Sequence, residues 1–306
     1  MTFISGSFKP IVLDLLDLDA NPMKFTHACL IPNAFLAGLL CATATSALAS
    51  EARTAGVPDF SANGVSWEAE SMEFIPPPSG PGPVGSDKAH PYISNQVARA
   101  RGVQPTFRVA DLSNPILKPW VVEALRKVNE AVLAGKPMFN REVRCWAPGV
   151  PAFLLDPGQL YFIQTAKEVW MIGHDDHRVR RVYLNSKHSV HPTPSWYGES
   201  VGRYEGDTLV VDTIGLNDKT LVDNYRTPHT DQMHVVERFR LIDSGNTLEA
   251  TVTVDDPGAF NTVWSAIQRF RSVHEGPLPE KACAEDTNNY FGYDLEPIPQ
   301  ADKPDF

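Results

Sequence analysis

The chain has 306 residues with 27 basic and 37 acidic side chains, a formal charge of −10, 42% hydrophobic residues and 9% aromatic residues. These values exclude an intrinsically disordered chain, which would hold fewer apolar and aromatic residues. They also exclude a general nucleic-acid binder, because such proteins present a basic surface. The 26 prolines make up a larger share of the chain than the usual ~5%, and this share argues against a helix bundle.

Residues 1–49 are predicted to form a secretory signal peptide. After Met23, which could be the true start, a lysine precedes the apolar run 28–40, and Ala47 and Ala49 supply a small-x-small cleavage site. This order of features is typical of exported proteins. A transmembrane anchor is the alternative, but a proline and an asparagine interrupt the apolar run. We therefore expect a periplasmic or secreted protein.

Cleavage of the signal peptide would reduce the number of cysteines in the mature protein. Cys29 and Cys41 would leave with the signal peptide, so that only Cys145 and Cys283 remain. An even pair in an oxidising compartment predicts one disulfide. Two buried free thiols are the alternative.

Residues 50–143 are predicted to form a Pro-rich arm with one or two helices. The segment 75–83 is too rich in proline and glycine for a helix or a central strand. A short helix fits within 87–101. A longer helix is predicted from Pro119 to Ala134, because proline suits the first helical position and Gly135 suits the C-terminal cap.

The region 144–285 shows short strand patterns separated by turn residues, and 286–306 is assigned as a C-terminal tail. The predicted strands are Tyr161–Ala166, Glu168–Gly173, Arg178–Leu184, Tyr197–Glu205, Asp207–Ile214, Met233–Ile242, Thr247–Val254 and Thr262–Arg271. Successive strands without intervening helices indicate an antiparallel meander. We predict a mainly β protein, an antiparallel eight-stranded barrel of the lipocalin type, wide enough to be filled by side chains or to hold one small ligand.

The strand at 233–242 carries the densest set of ionisable residues. Alternation places His234 and Arg238 on one face, and Val235, Glu237 and Phe239 on the other. The sequence does not decide which face lines the barrel. Histidine, glutamate and arginine close together are the usual groups of acid–base catalysis and also of buried ion pairs.

For the strand at 178–184 the sequence likewise does not decide which face lines the barrel. Arg181 and Tyr183 share one face, and Arg178 and Arg180 share the other. An arginine that faces the barrel interior requires an anion nearby. That anion could be a structural carboxylate or the carboxylate of a substrate.

Further candidate residues are aromatic or polar side chains on or next to these strands. As substrate-binding residues we select Trp170, Asp212, Trp264, His229 and Tyr204. No metal site is predicted, because His174 and His177 would point to opposite faces of a strand. No dinucleotide or phosphate-binding motif is present, so no cofactor is predicted.

The segment Ser200–Thr213 reads SVGRYEGDTLVVDT. It resembles the signature S-V-G-R-W-E-G-D-T-L-V-V-D-T of a large family of exported bacterial proteins, with Tyr204 in place of the usual tryptophan. The family's other recurrent pieces are matched by residues 180–184, 234–240 and 255–257. A fainter resemblance links the chain to sphingomonad cofactor-independent decarboxylases of lignin-derived biaryl acids. That resemblance implies an activity class but transfers no catalytic residue.

These features support three hypotheses. The first is an exported carbon–carbon lyase that acts on a small aromatic carboxylic acid, with His234, Tyr183, Arg238, Arg181 and Glu237 as its catalytic residues. The second is a lipocalin-like binding protein for an aromatic or apolar ligand, and the third is a structural protein of the cell envelope. The partner is expected to be a small molecule, without nucleic acid or stable membrane insertion, and a homodimer is left open.

Overall fold

The computed structural model describes residues 56–136, 145–174 and 178–274. Within these ranges the chain forms two α-helices and nine β-strands. In chain order they are β1 (Ser66–Ala69), α1 (Asn95–Arg101), α2 (Pro119–Leu133), β2 (Gln159–Gln164), β3 (Glu168–Gly173), β4 (Val179–Leu184), β5 (Glu199–Glu205), β6 (Thr208–Ile214), β7 (His234–Ile242), β8 (Thr247–Asp255) and β9 (Trp264–Val273).

The nine strands form one closed barrel in sequence order, with β9 paired to β1. The mainly β fold, the barrel and the two helices are confirmed, and each of the eight predicted strands overlaps one of β2–β9. The sequence predicts an eight-stranded antiparallel barrel, whereas the structure adds β1 and pairs β4 with β5 in parallel. The chain between those two strands, residues 185–198, therefore has to run back along the outside of the barrel before β5 begins.

The ninth strand, β1, belongs to the Pro-rich arm and closes the barrel. Its four residues pair with β9 on one side, and two of them, Trp67 and Glu68, pair with β2 on the other. Trp67 turns its side chain inward, where its Nε1 donates to the carbonyl oxygen of Phe60 at 2.7 Å. Four residues beside a proline-rich segment give no strand periodicity long enough to recognise in the sequence, so the sequence assigns them to the arm.

Side chains fill the described part of the barrel interior. Phe60 packs on Phe162 at a ring distance of 5.0 Å, and Phe162 packs edge-on against Phe239 at 6.2 Å. The buried turn Ala152–Leu155 adds its apolar side chains to the core. The fully buried amide of Gln268 donates to a carbonyl of this turn at 3.0 Å, which fixes the turn to the barrel.

One ion pair lies in this apolar interior. Arg180 and Glu237 have fully buried side chains, and two guanidinium nitrogens donate to the two carboxylate oxygens at 3.0 and 2.5 Å. Arg180 also donates to the hydroxyls of Ser200 at 3.3 Å and Thr213 at 2.9 Å. Such complete pairing is what a buried guanidinium needs to offset its loss of hydration. The anion that the inward arginine requires is therefore a structural carboxylate.

Other predictions fall partly or wholly outside the described residues. The signal peptide 1–49, the tail 286–306 and Cys283 lie outside them. Cys145 is disulfide-bonded, while its pairing with Cys283 stays a prediction, as do the domain boundaries. Neither described helix has the length and hydropathy that crossing a bilayer requires.

Replacement of Arg180 by Met should leave the Glu237 carboxylate unpaired in the barrel core. We expect R180M to lower the free energy of unfolding by about 3–5 kcal/mol. The double variant R180M/E237M should recover most of that loss, because it removes both charges. Urea denaturation of the two variants measures both values.

The control is R238M, which breaks the exposed pair of Arg238 with Glu205 on the same strand as Glu237. Exposed ion pairs contribute about 0–1 kcal/mol, so this variant should remain close to the wild type. Equal losses in R180M and R238M would contradict the assigned role of the buried pair.

Candidate acid–base site on the outer face of the barrel

The alternation along β7 settles which of its faces lines the barrel. Val235, Glu237 and Phe239 are fully buried and point inward, whereas His234 and Arg238 lie on the outside with 41% and 46% of their side chains exposed. The predicted catalytic residues on β7 therefore do not share one cavity. Glu237 belongs to the buried ion pair, and His234 belongs to a separate group on the outer surface.

Two histidines share one carboxylate on this outer surface. Asp212 of β6 lies beside Val236 of β7, and its Oδ1 is 2.8 Å from Nε2 of His188 and 2.9 Å from Nε2 of His234. A carboxylate oxygen has two lone pairs and accepts both hydrogen bonds. The sequence prediction selects His234 and Asp212 separately, and the structure brings them together.

The residue that sequence reasoning misses here is His188. It lies in the return segment 185–198, which crosses the outer face because β4 and β5 are parallel. Its Nδ1 is 3.0 Å from Oε1 of Glu199, and the same glutamate accepts from the backbone and hydroxyl of Ser189. His188 reaches this face only because β4 and β5 pair in parallel, and the local sequence does not reveal that pairing.

The protonation of this cluster follows from its hydrogen bonds. Partial burial opposes ionisation of Asp212, but hydrogen bonds from His188 and His234 outweigh it and lower the pKa of the Asp212 carboxyl. Hydrogen bonds from the Ser189 hydroxyl and backbone lower the pKa of Glu199. Each ring nitrogen of His188 lies within hydrogen-bond distance of one carboxylate, Nδ1 of Glu199 and Nε2 of Asp212.

His234 differs from His188 in having one ring nitrogen available. Its Nε2 donates to Asp212, and its Nδ1 has no hydrogen-bond partner among the described residues. In the neutral ring that nitrogen is an acceptor, and in the charged ring it is a donor. A histidine oriented by a carboxylate and open on its other side has the arrangement of a proton-transfer residue.

A second group of predicted residues lies on the outer face of β3 and β4. The Arg181 guanidinium carbon is 4.9 Å from the ring centre of Trp170 and 5.0 Å from that of Tyr183. Glu168 accepts from Arg181 at 2.8 Å and from the Trp170 indole at 2.6 Å. The hydrogen bond from Arg181, with a smaller one from Trp170, lowers the pKa of the Glu168 carboxyl.

This aromatic group lies within reach of the histidine cluster. Tyr183 is registered beside Val201 of β5, which is registered beside Asp212. Two strand spacings separate Tyr183 from Asp212, or about 10 Å. An aromatic surface and an oriented histidine are thus on one side of the barrel.

Three further predicted residues serve packing or exposed ion pairs. Trp264 is buried edge-on against Phe260 at 5.7 Å, and the Tyr204 hydroxyl accepts from Gln164 at 2.8 Å on the inner face. Arg238 pairs with Glu205. The structure does not bring these side chains to the histidine cluster.

His229 is buried in the connection between β6 and β7. Its Nδ1 donates to the carbonyl oxygen of Thr230 at 2.8 Å, and its Nε2 accepts from the Thr220 hydroxyl at 2.7 Å. Burial lowers the pKa of this histidine, against a smaller opposing effect of the Thr230 carbonyl. It therefore acts as a neutral bridge that holds the connection leading into β7.

The described residues contain no group of three or more His, Cys, Asp or Glu side chains arranged to hold a metal ion. His174 is described, but residues 175–177 are not, so the spacing argument about His177 stays a prediction. Comparison of the chain with protein-family models, curated proteins and solved structures finds no match. The family resemblance of the signature segment therefore also stays a prediction.

Replacement of His229 by Asn should change how stability depends on pH. The pKa of His229 is lowered in the native state, whereas in the unfolded chain it has the ordinary histidine value of ~6.5. Below that pH the unfolded chain therefore binds more protons than the native state, and the free energy of unfolding decreases as the pH is lowered. We expect the wild type to lose more free energy of unfolding than H229N between about pH 8 and about pH 5. Urea denaturation across this range measures the difference.

Asn retains a donor for the Thr230 carbonyl but leaves the Thr220 hydroxyl without its acceptor, so H229N should be less stable at high pH by about 1–3 kcal/mol. The control is H191Q, which replaces an exposed histidine and should keep the wild-type slope. Parallel pH profiles for H229N and the wild type would show that His229 is not a buried neutral residue.

Proposed function

We propose that this protein is an acid–base enzyme, a cofactor-independent carbon–carbon lyase of the decarboxylase type that acts on a small aromatic carboxylic acid. The observation that carries the proposal is the pair of His234 and Asp212. It provides a half-exposed imidazole with one nitrogen held and the other open. The reaction class and the aromatic substrate come from the family resemblance, and the proposed site lies on the outer face rather than in the barrel.

In the proposed reaction, with a para-hydroxycinnamic acid as the example, the ionised phenol pushes electrons through the double bond, and the carbon that bears the carboxylate takes up one proton. This step gives a quinone methide. The bond to the carboxylate carbon then breaks, carbon dioxide leaves, and the electron pair of that bond returns through the quinone methide to the phenolate oxygen, so that no other electron acceptor is needed. The protonated His234 ring gives its Nδ1 proton to the carbon that bears the carboxylate and recovers one from solvent, while the Asp212 anion stabilises the charged ring.

The aromatic group around Arg181 would hold the substrate. Trp170 and Tyr183 offer ring faces to the ring of an aromatic acid that lies farther from the carboxylate. The Arg181 guanidinium, which pairs with Glu168, adds a cation beside that ring, while the carbon that bears the carboxylate lies at His234. The separation of about 10 Å from Tyr183 to Asp212 suits a substrate with two rings better than one with a single ring. A lipocalin-like ligand inside the barrel has less support, because side chains fill the described interior.

We also propose that the enzyme works in the periplasm or outside the cell. The predicted signal peptide supports this location, and the disulfide of Cys145 is compatible with an oxidising compartment. The described site requires no second copy of the chain.

The proposal is tested by adding para-hydroxycinnamic acid and a two-ring phenolic acid to purified protein and measuring carbon dioxide and the decarboxylated product. H234Q should lower kcat by about 10²-fold or more, because a positioned proton donor contributes 10²–10⁴-fold. D212N should lower kcat in the same direction, since an amide in place of the carboxylate no longer stabilises the charged ring.

The matched control is H191Q, which changes a histidine in the return segment that makes no hydrogen bond to the cluster, and it should turn over normally. Circular dichroism checks that each variant is folded. Wild-type turnover retained in H234Q would refute the residue assignment, and no turnover of any phenolic acid by the wild type would refute the lyase proposal.

A further inference from the structure

A cavity of about 430 Å³ lies outside the barrel, between the Pro-rich arm and the C-terminal end of α2. Its walls come from residues 89–91 and 93, from residues 106, 107 and 109, and from two residues of the helix, Val132 and Leu133. This volume is typical of sites for small molecules. It shares no residue with the histidine cluster or with the aromatic group of β3 and β4.

Hydrogen bonds between the segments hold the walls in place. The Thr106 hydroxyl accepts from the Ile93 backbone at 2.8 Å and donates to the Pro91 carbonyl at 3.0 Å. On the helix, the buried Asn129 donates to the Ala110 carbonyl at 2.9 Å and accepts from the Ala110 amide at 2.8 Å. The two arm segments are thereby fixed to each other and, through Asn129, to α2, so the cavity is formed before any ligand binds.

The lining is almost entirely apolar. Phe107 and Leu133 leave 51% and 53% of their surface exposed, although both lie at the cavity. Apolar side chains exposed around a formed cavity are common at ligand sites, because a bound molecule removes them from water. An aromatic ligand suits this lining, since its ring can pack against Phe107.

Two polar side chains line the cavity, and one of them is already satisfied. Thr106 uses its hydroxyl in the wall, which leaves His90 to interact with a ligand. Nδ1 of His90 is 2.8 Å from Oδ1 of Asp87, and Nε2 of His90 has no hydrogen-bond partner among the described residues. Because Nδ1 donates to Asp87, Nε2 of the neutral ring accepts a hydrogen bond.

The charge at this position selects the polar group of the ligand. Asp87 lies directly beside His90, and its hydrogen bond from the His90 side chain lowers the pKa of the carboxyl, so that a negative charge stands near the site. A ligand with a carboxylate would be repelled by it. A neutral hydroxyl that donates to Nε2 would not.

We propose that this cavity binds a small neutral phenol, with its ring between Phe107 and Leu133 and its hydroxyl donating to Nε2 of His90. The site is independent of the proposed lyase activity. It would recognise an aromatic alcohol without a carboxylate, whereas the outer-face site is proposed to act on aromatic acids.

Isothermal titration calorimetry with three probes of similar shape tests the proposal. para-Cresol carries the hydroxyl, 4-methylanisole carries a methyl ether that cannot donate, and para-toluate carries a carboxylate. We expect para-cresol to bind the full-length protein one to one with a Kd below about 1 mM. The methyl ether and the carboxylate should bind at least about tenfold more weakly.

Two variants locate the binding. L133K places a charge at the cavity and should raise the Kd of para-cresol at least about tenfold, while V190K, which changes a residue that is 87% exposed elsewhere, should not change it. H90F should weaken para-cresol without weakening 4-methylanisole. Because Leu133 and His90 are exposed, both variants are expected to fold, and circular dichroism confirms it.

Failure to bind para-cresol, equal binding of para-cresol and 4-methylanisole, or equal Kd values in L133K and V190K would each overturn the proposal. H234Q should bind para-cresol as the wild type does. The failure of this site and the failure of the lyase proposal are therefore distinguishable.

Discussion

The buried ion pair of Arg180 and Glu237 determines how the barrel presents its other polar residues. A closed barrel gives each strand one inner and one outer face, and a single inward residue fixes the whole alternation. Glu237 is inward because Arg180 meets it there with two hydrogen bonds and Ser200 and Thr213 satisfy the remaining donors. Once Glu237 is inside, His234 must be outside, three residues earlier on the same strand.

The parallel pairing of β4 and β5 is the second constraint on the site. It forces the chain to return along the outside of the barrel, and this return segment carries His188 to Asp212 and Glu199. Without it, Asp212 would have one histidine partner instead of two. The cluster therefore depends on topology as much as on residue type, and its four side chains come from β5, β6, β7 and the return segment.

Much of the architecture was readable from the sequence because the strands alternate regularly and turn residues separate them. The eight predicted strands and the longer helix lie within a few residues of the observed ones, whereas the shorter helix, predicted around 87–101, begins only at Asn95. β1 was not readable, since four residues beside a proline-rich segment carry too little periodicity. The parallel pair was not readable either, because strand order and direction depend on contacts that alternation does not encode.

The candidate site was only partly predictable for the same reason. Alternation grouped His234 with Arg238 and Glu237 with Phe239 correctly, but an apolar and a polar interior were both compatible with it. The pairing of Asp212 with His234 depends on the register of β6 and β7, and the contact with His188 depends on the return segment. A local sequence pattern contains neither contact, and for this reason the sequence does not single out His188.

Closure of the barrel by β1 has a consequence for the order in which the chain can fold. Ser66 bonds to Val273, 207 residues later, so the seam between β1 and β9 forms only after nearly all of the barrel has been synthesised. Contacts between such distant residues make folding slow. Until β9 pairs with β1, each of these two strands presents an open edge that can pair with other chains, and the seam with the short arm strand ends this exposure.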